Sequence, residues 1–216
     1  PRFPFNSAPR KYQEEAYESW KNNGKKGIFG MATGTGKTIT ALNCLLNEYY
    51  DSGLYQAVVL VPSKVLLTQW SEEIALFNFK ENIHNVSSDY QWKPLLNQLS
   101  THLMLDKELS FIIIATYTTF SSIKFQKYLR YIPAETMLIA DEAHNMGSSN
   151  LKQLLPELKF GKRLALSATP KRNYDDEGNE VIEAFFNSRE PYTYSFSMER
   201  AIRGGVLCHY DYYQHI

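Results

Sequence analysis

The chain has 216 residues, 44% of them hydrophobic and 14% aromatic, enough to bury a sizeable core and to exclude global disorder. Lys and Arg number 23, as do Asp and Glu, so the formal charge is zero and no polybasic tail marks a nucleic-acid or membrane partner; a local groove can still be positive. The longest purely apolar runs, Ala57 to Val61 and Phe111 to Ala115, are too short to span a bilayer, and the opening PRFPFNSAPRK lacks the apolar stretch of a signal peptide.

A first helix is predicted over Lys11 to Asn23, with Tyr12, Ala16 and Trp20 on one side. Strand-like runs follow at Gly27 to Met31, Ala57 to Pro62, Asn82 to Val86, Ser110 to Tyr117, Met137 to Asp141 and Arg163 to Ala168. Several are apolar throughout, which suits strands covered on both faces. Between them run stripes at helical spacing: Ile39, Leu42, Leu45, Leu46 and Tyr49; then Leu66, Trp70, Ile74 and Phe77; then Leu95, Leu96, Leu99 and Leu103. Strand and helix alternating in this way predict a doubly wound, mainly parallel α/β domain.

After Pro170 the character changes. KRNYDDEGNE is polar and acidic and reads as an exposed loop, so residues 173–190 are set apart from the lobe at 1–172. Tyr192, Tyr194 and Phe196 then alternate with polar residues as a half-buried strand. Ser197 is placed to cap a short helix through Arg203, stopped by Gly204 and Gly205, and Val206 to Ile216 reads as the start of another strand. Cys44 and Cys208 form no CxxC pair and read as reduced thiols, which predicts a cytoplasmic location. The opening Pro and the abrupt HYDYYQHI suggest a segment of a longer protein.

The chemistry concentrates in two places. Gly30-Met31-Ala32-Thr33-Gly34-Thr35-Gly36-Lys37-Thr38 joins a strand to a helix. Glycines let backbone N–H groups turn inward around a phosphate, and the following helix adds its positive end. Lys37 would reach the β- and γ-phosphates, and the Thr38 hydroxyl would ligate magnesium. The GxxxxGKT pattern wants Gly where Met31 stands, so the cradle rests on Gly34 and Gly36. Second, Leu138-Ile139-Ala140-Asp141-Glu142-Ala143-His144 delivers carboxylates at the end of an apolar strand. Asp141 would hold magnesium, and Glu142 would deprotonate an attacking water. Leu166-Ser167-Ala168-Thr169-Pro170 alone is a strand entering a turn, and Val59 to Trp70 alone is a strand and an amphipathic helix with Trp70 in the core. The histidines His84, His102, His144, His209 and His215 show no ligand spacing, and there is no GxSxG.

In order and spacing, these motifs resemble the first RecA-like lobe of a superfamily 2 helicase or translocase over residues 9–172. MATGTGKT resembles motif I, VLVPSKVLLTQW motif Ia, IIIATYTTF the next nucleic-acid motif, LIADEAH motif II and LALSATP motif III. The resemblance implies ATP and magnesium as ligands, Thr33 and Thr35 among the loop contacts, and Arg10 and Gln13 of RKYQ reading the adenine. It further implies that Pro62, Ser63, Lys64, Thr116 and Tyr117 grip a nucleic-acid backbone, and that His144, Ser167 and Thr169 couple nucleotide state to motion. PSKVLLTQW is similar to the motif Ia of double-stranded DNA translocases and restriction-type motors, which implies duplex DNA as partner. Residues 191–216 resemble the crossing into a second RecA-like lobe, whose arginine finger this chain does not contain. Two other readings stay open here: a P-loop NTPase switch that regulates a protein partner, and an RNA helicase lobe.

Overall fold

In the computed structural model, which describes residues 1–4, 7–105, 108–147, 149–171 and 175–208, helix α1 (Lys11–Asn22) leads into strand β1 (Lys26–Met31). The chain continues through α2 (Lys37–Ser52), β2 (Gln56–Val61), α3 (Lys64–Leu76), β3 (Ile83–Val86), α4 (Trp92–Leu105) and β4 (Phe111–Thr116). Next come the short helices α5 (Tyr117–Phe120) and α6 (Ile123–Leu129), then β5 (Met137–Asp141), α7 (Ser149–Leu154), β6 (Lys162–Ser167), α8 (Asp176–Phe186), β7 (Tyr194–Phe196) and α9 (Met198–Arg203). The strands form one seven-stranded sheet in the order β3-β4-β2-β5-β6-β1-β7, and every pairing is parallel.

Successive strand residues point to opposite faces, and helices cover both. Phe29, Val59, Ile114 and Ile139 enter one core with Trp20 of α1, Leu42 of α2 and Trp70 of α3. Ile28, Val58, Ile113 and Leu138 enter the other with Trp92 of α4, Phe125 of α6 and Phe186 of α8. Both faces are apolar, so the runs do not alternate. In α4, Trp92 is buried and Leu95 is 44% exposed, which shifts the buried stripe from the one expected.

Two expectations about the C-terminal part are corrected. The polar stretch read as a loop holds the start of α8: Asp175 caps the helix by accepting from Gly178 N at 3.0 Å, and Asp176 and Glu177 stand in the first turn, where the helix dipole favours acids. Ile182, Phe185 and Phe186 supply its buried face, while residues 172–174 lie outside the described residues. The second correction concerns the segment expected to leave the lobe. β7 instead pairs with β1 (Phe29 with Tyr194, Met31 with Phe196), and α9, capped by Ser197 as expected, buries Ala201 in the same core. Val206–Cys208 form no strand, and 209–216 lie outside the described residues.

Candidate nucleotide-binding site

The sheet order sets β5, β6 and β1 side by side, so their carboxyl ends share one edge. β1 ends at Met31, which is fully buried in register with Phe196; it belongs to the strand, not the turn, and no glycine is needed there. The turn itself needs glycine twice, since Gly34 and Gly36 have φ of +80° and +76°. Thr35 is buried between them. Its hydroxyl donates to Ala32 O at 2.6 Å, and its carbonyl accepts from the Tyr12 hydroxyl of α1 at 2.7 Å. Thr33 is exposed, and Lys37 and Thr38 are half-buried in the first turn of α2. Lys37 Nζ lies 3.7 Å from Glu142 Oε1, which brings together the two motifs that sequence separates.

Asp141 ends β5 and is 5% exposed. Its Oδ2 accepts from Trp70 Nε1 at 2.8 Å, its Oδ1 from Glu142 N at 3.0 Å, and its carbonyl from the Tyr117 hydroxyl at 2.8 Å. Burial raises the pKa of this carboxyl, and the Trp70 hydrogen bond works against that rise. Glu142 has φ +47°, the left-handed region that a side chain disfavours. Asn145 holds that turn by donating both its backbone N and its Nδ2 to Glu142 O, each at 2.9 Å. His144 Nδ1 stands 3.6 Å from Glu142 Oε2 and 3.3 Å from Ser167 Oγ, and Ser167 Oγ accepts from Thr169 N at 3.2 Å. The three coupling candidates thus form a continuous chain that begins at Glu142.

Gln13 is buried, and its Oε1 accepts from Arg10 N at 2.9 Å as part of a capping box at the start of α1. A cavity of about 290 Å³ opens beside it, lined by Arg10, Gln13, Gly34, Thr35, Gly36 and Ile39. Sequence reasoning missed the C-terminal wall of this cavity. Val206 lines it, and a Cβ placed on Gly34 would meet Leu207 Cδ2 at 3.2 Å. Sequence reasoning also missed Trp70, Tyr12 and Asn145 as supports. Only the TQW spacing in the motif Ia segment hinted at the first.

The nucleic-acid candidates sit along the same edge, at the ends of β2 and β4, where Val61 pairs with Thr116. Pro62, Ser63 and Lys64 are exposed; Ser63 caps α3 by accepting from Leu66 N at 3.3 Å, and Lys64 pairs with Asp89 at 2.6 Å. Thr116 and Tyr117 depart from expectation, since both are buried. The Thr116 hydroxyl caps α5 and donates to Thr119 Oγ1 at 2.9 Å, and the Tyr117 hydroxyl is committed to Asp141 O. Neither side chain is presented to a phosphate.

A hydroxyl and a single buried carboxylate suit magnesium, which keeps several waters and shares its shell with phosphates. Among the described residues there is no cluster of His, Cys, Asp and Glu that would make an all-protein cage. Glycine cradle, helix start, lysine and strand-end carboxylates on a parallel sheet define a RecA-like P-loop lobe. Residues 6–172 match the model of the ResIII family, described as the Type III restriction enzyme, res subunit, and the chain belongs to that family.

The chain is 27% identical over 168 residues to the putative DNA 3'-5' helicase Rad25 of Haloarcula marismortui, covering 78% of this chain and 24% of that protein. Among solved structures it is similar to the Sulfolobus solfataricus SWI2/SNF2 ATPase core in complex with dsDNA, at TM-score 0.63 and 22% identity over 87% of this chain and 37% of that one. It is similar also to the ATP-dependent Type ISP restriction-modification enzyme LlaBIII bound to DNA, at TM-score 0.70 and 23% identity over 92% of this chain and 16% of that one. The chain therefore spans about a quarter of the length of its Haloarcula relative. Among the described residues, no helix is long and apolar enough to cross a membrane.

Proposed function

We propose that this chain is the ATP-binding motor lobe of an ATP-dependent DNA helicase or translocase. One observation carries the reading. Lys37 Nζ, at the start of the helix that follows the glycine turn, lies 3.7 Å from Glu142 Oε1, beside a buried Asp141 on β5. The backbone N–H groups around Gly34 and Gly36 would take the β-phosphate, Lys37 the β- and γ-phosphates, and Gln13 with Arg10 the adenine. Thr38 and Asp141 would hold magnesium, which would supply positive charge beside the phosphates. Glu142 would accept the proton of a water attacking the γ-phosphorus as the bond to the β,γ-bridging oxygen breaks, giving ADP and inorganic phosphate. His144, Ser167 and Thr169 continue from Glu142 to the end of β6, where they would pass its state to a second RecA-like lobe of the parent protein.

Duplex DNA is supported as the partner by the motif Ia type and by a relative and neighbours described with DNA. The grip would come from Pro62, Ser63, Lys64 and backbone N–H groups near Thr116, by contacts that position without reading bases. Reading Cys44, which is buried, and Cys208 as thiols supports a cytoplasmic location. The test is steady-state ATPase activity of the parent protein with duplex DNA, single-stranded RNA or neither. Stimulation by duplex DNA is expected; stimulation by RNA alone would assign the lobe to an RNA helicase, and none at all would favour a protein-regulating switch.

A further inference from the structure

Trp70 does more than fill the core. Its ring is fully buried, yet a buried indole N–H needs an acceptor, and a backbone carbonyl serves: Trp20 donates to Arg163 O at 2.9 Å. Trp70 instead donates to a carboxylate, Oδ2 of Asp141, at 2.8 Å and across 71 residues of sequence. The terminal torsion of an aspartate is broad, so a carboxylate without partners rotates freely. Here the two oxygens are fixed separately, Oδ2 by Trp70 and Oδ1 by Glu142 N, while the Tyr117 hydroxyl holds the carbonyl of the same residue at 2.8 Å. Each carboxylate oxygen keeps a second lone pair free of these donors. Trp70 also rides on α3, the helix whose first residues are capped by Ser63 and include Lys64.

We propose that Trp70 is a positioning residue for the metal-binding carboxylate: its N–H sets the rotation of Asp141 and ties that carboxylate to the helix that begins at the nucleic-acid edge. The inference rests on the reading above that Asp141 holds magnesium. Hydrogen-bonding partners of metal ligands typically matter to metal affinity by 10- to 100-fold, whereas a residue that merely packs changes stability and leaves metal dependence alone.

Two measurements on the 216-residue chain test it. A fluorescent ATP analogue is titrated in EDTA and then with magnesium, using wild type, Trp70→Phe, Tyr117→Phe and Asp141→Asn. Trp70→Phe is expected to bind nucleotide in EDTA as the wild type does, but to need about tenfold more magnesium for the metal-dependent gain. An unchanged magnesium requirement would overturn the proposal, as would equal losses with and without magnesium, which would mark Trp70 as structural. In the second measurement, nitrogen-15 indole resonances are followed, with Trp70 assigned by its loss in Trp70→Phe or, if that variant fails to fold, in Trp70→His. The Trp70 signal is expected to move when magnesium joins ATP and to move in Asp141→Asn, with Trp20 and Trp92 still; a stationary Trp70 signal overturns the proposal. If Asp141→Asn itself keeps the wild-type magnesium requirement, the magnesium reading of Asp141 falls. If only Trp70→Phe does, that reading stands and this one is lost.

Discussion

At the scale of single residues, Lys37 and Glu142 face each other at 3.7 Å, and the proposed function gives binding to the first and turnover to the second. Lys37→Ala removes the one lysine in the first turn of α2 and should weaken ATP–magnesium binding by about 2–4 kcal/mol, measured by calorimetry against the wild type. Glu142→Gln keeps shape and removes the proposed base, so in the parent protein ATP should still bind while hydrolysis nearly vanishes in a steady-state assay. Wild-type turnover by that variant would remove Glu142 from the mechanism. Gln13 has one observed duty and one proposed. Its Oε1 already accepts from Arg10 N at 2.9 Å, and the amide would still pair with the adenine edge. Gln13→Ala should therefore reduce the preference for ATP over GTP in competition binding and cost about 0.5–1 kcal/mol of stability through the lost cap.

At the scale of elements, α1 and α8 illustrate how a helix end is made to matter. α1 carries the Tyr12 hydroxyl to Thr35 O, so the glycine turn is held by a helix that precedes its own strand. α8 owes its start to Asp175, which caps it and accepts from Lys152 Nζ at 2.9 Å. Asp175→Ala should cost about 1 kcal/mol in a urea titration, because the cap it removes is the hydrogen bond from Gly178 N. The polar run that contains the start of α8 is legible as punctuation but not as a helix start, because the same acids suit a loop and a first turn. What decides is the Ile182–Phe185–Phe186 face finding a core to bury in. Likewise the short alternation at Tyr194–Phe196 announces a strand without saying which sheet receives it.

At the scale of the whole molecule, the proposed function asks a second lobe to close over the edge formed by the ends of β1, β5 and β6. Charge develops on the γ-phosphate oxygens during transfer, and an arginine finger contributes roughly 10³–10⁵ in rate by stabilising it. In the reading proposed here that arginine belongs to the second lobe, so the 216-residue chain should hydrolyse ATP very slowly and gain nothing from duplex DNA. The parent should respond to DNA in the same assay. Robust DNA-stimulated turnover by the 216-residue chain would refute the need for a second lobe.

The sequence by itself determined the parts whose chemistry is local. Apolar runs covered on both faces read as parallel strands, Gly34 and Gly36 had to turn, and the residue types and spacing of Lys37, Thr38, Asp141 and Glu142 marked the positions that the fold brings to one edge of the sheet. Tertiary structure alone decided which distant groups meet. Strand order placed β5 two strands from β1, and so Glu142 before Lys37. It placed α3 against the end of β5, so that an indole ordinary as core became a donor to Asp141, and it set the end of β4 where Tyr117 turns inward to Asp141 rather than out to a phosphate. It also folded Leu207 over Gly34. The reason is physical: the periods of 2 and 3.6 record which way a side chain points relative to its own element, and carry no record of which element will lie opposite.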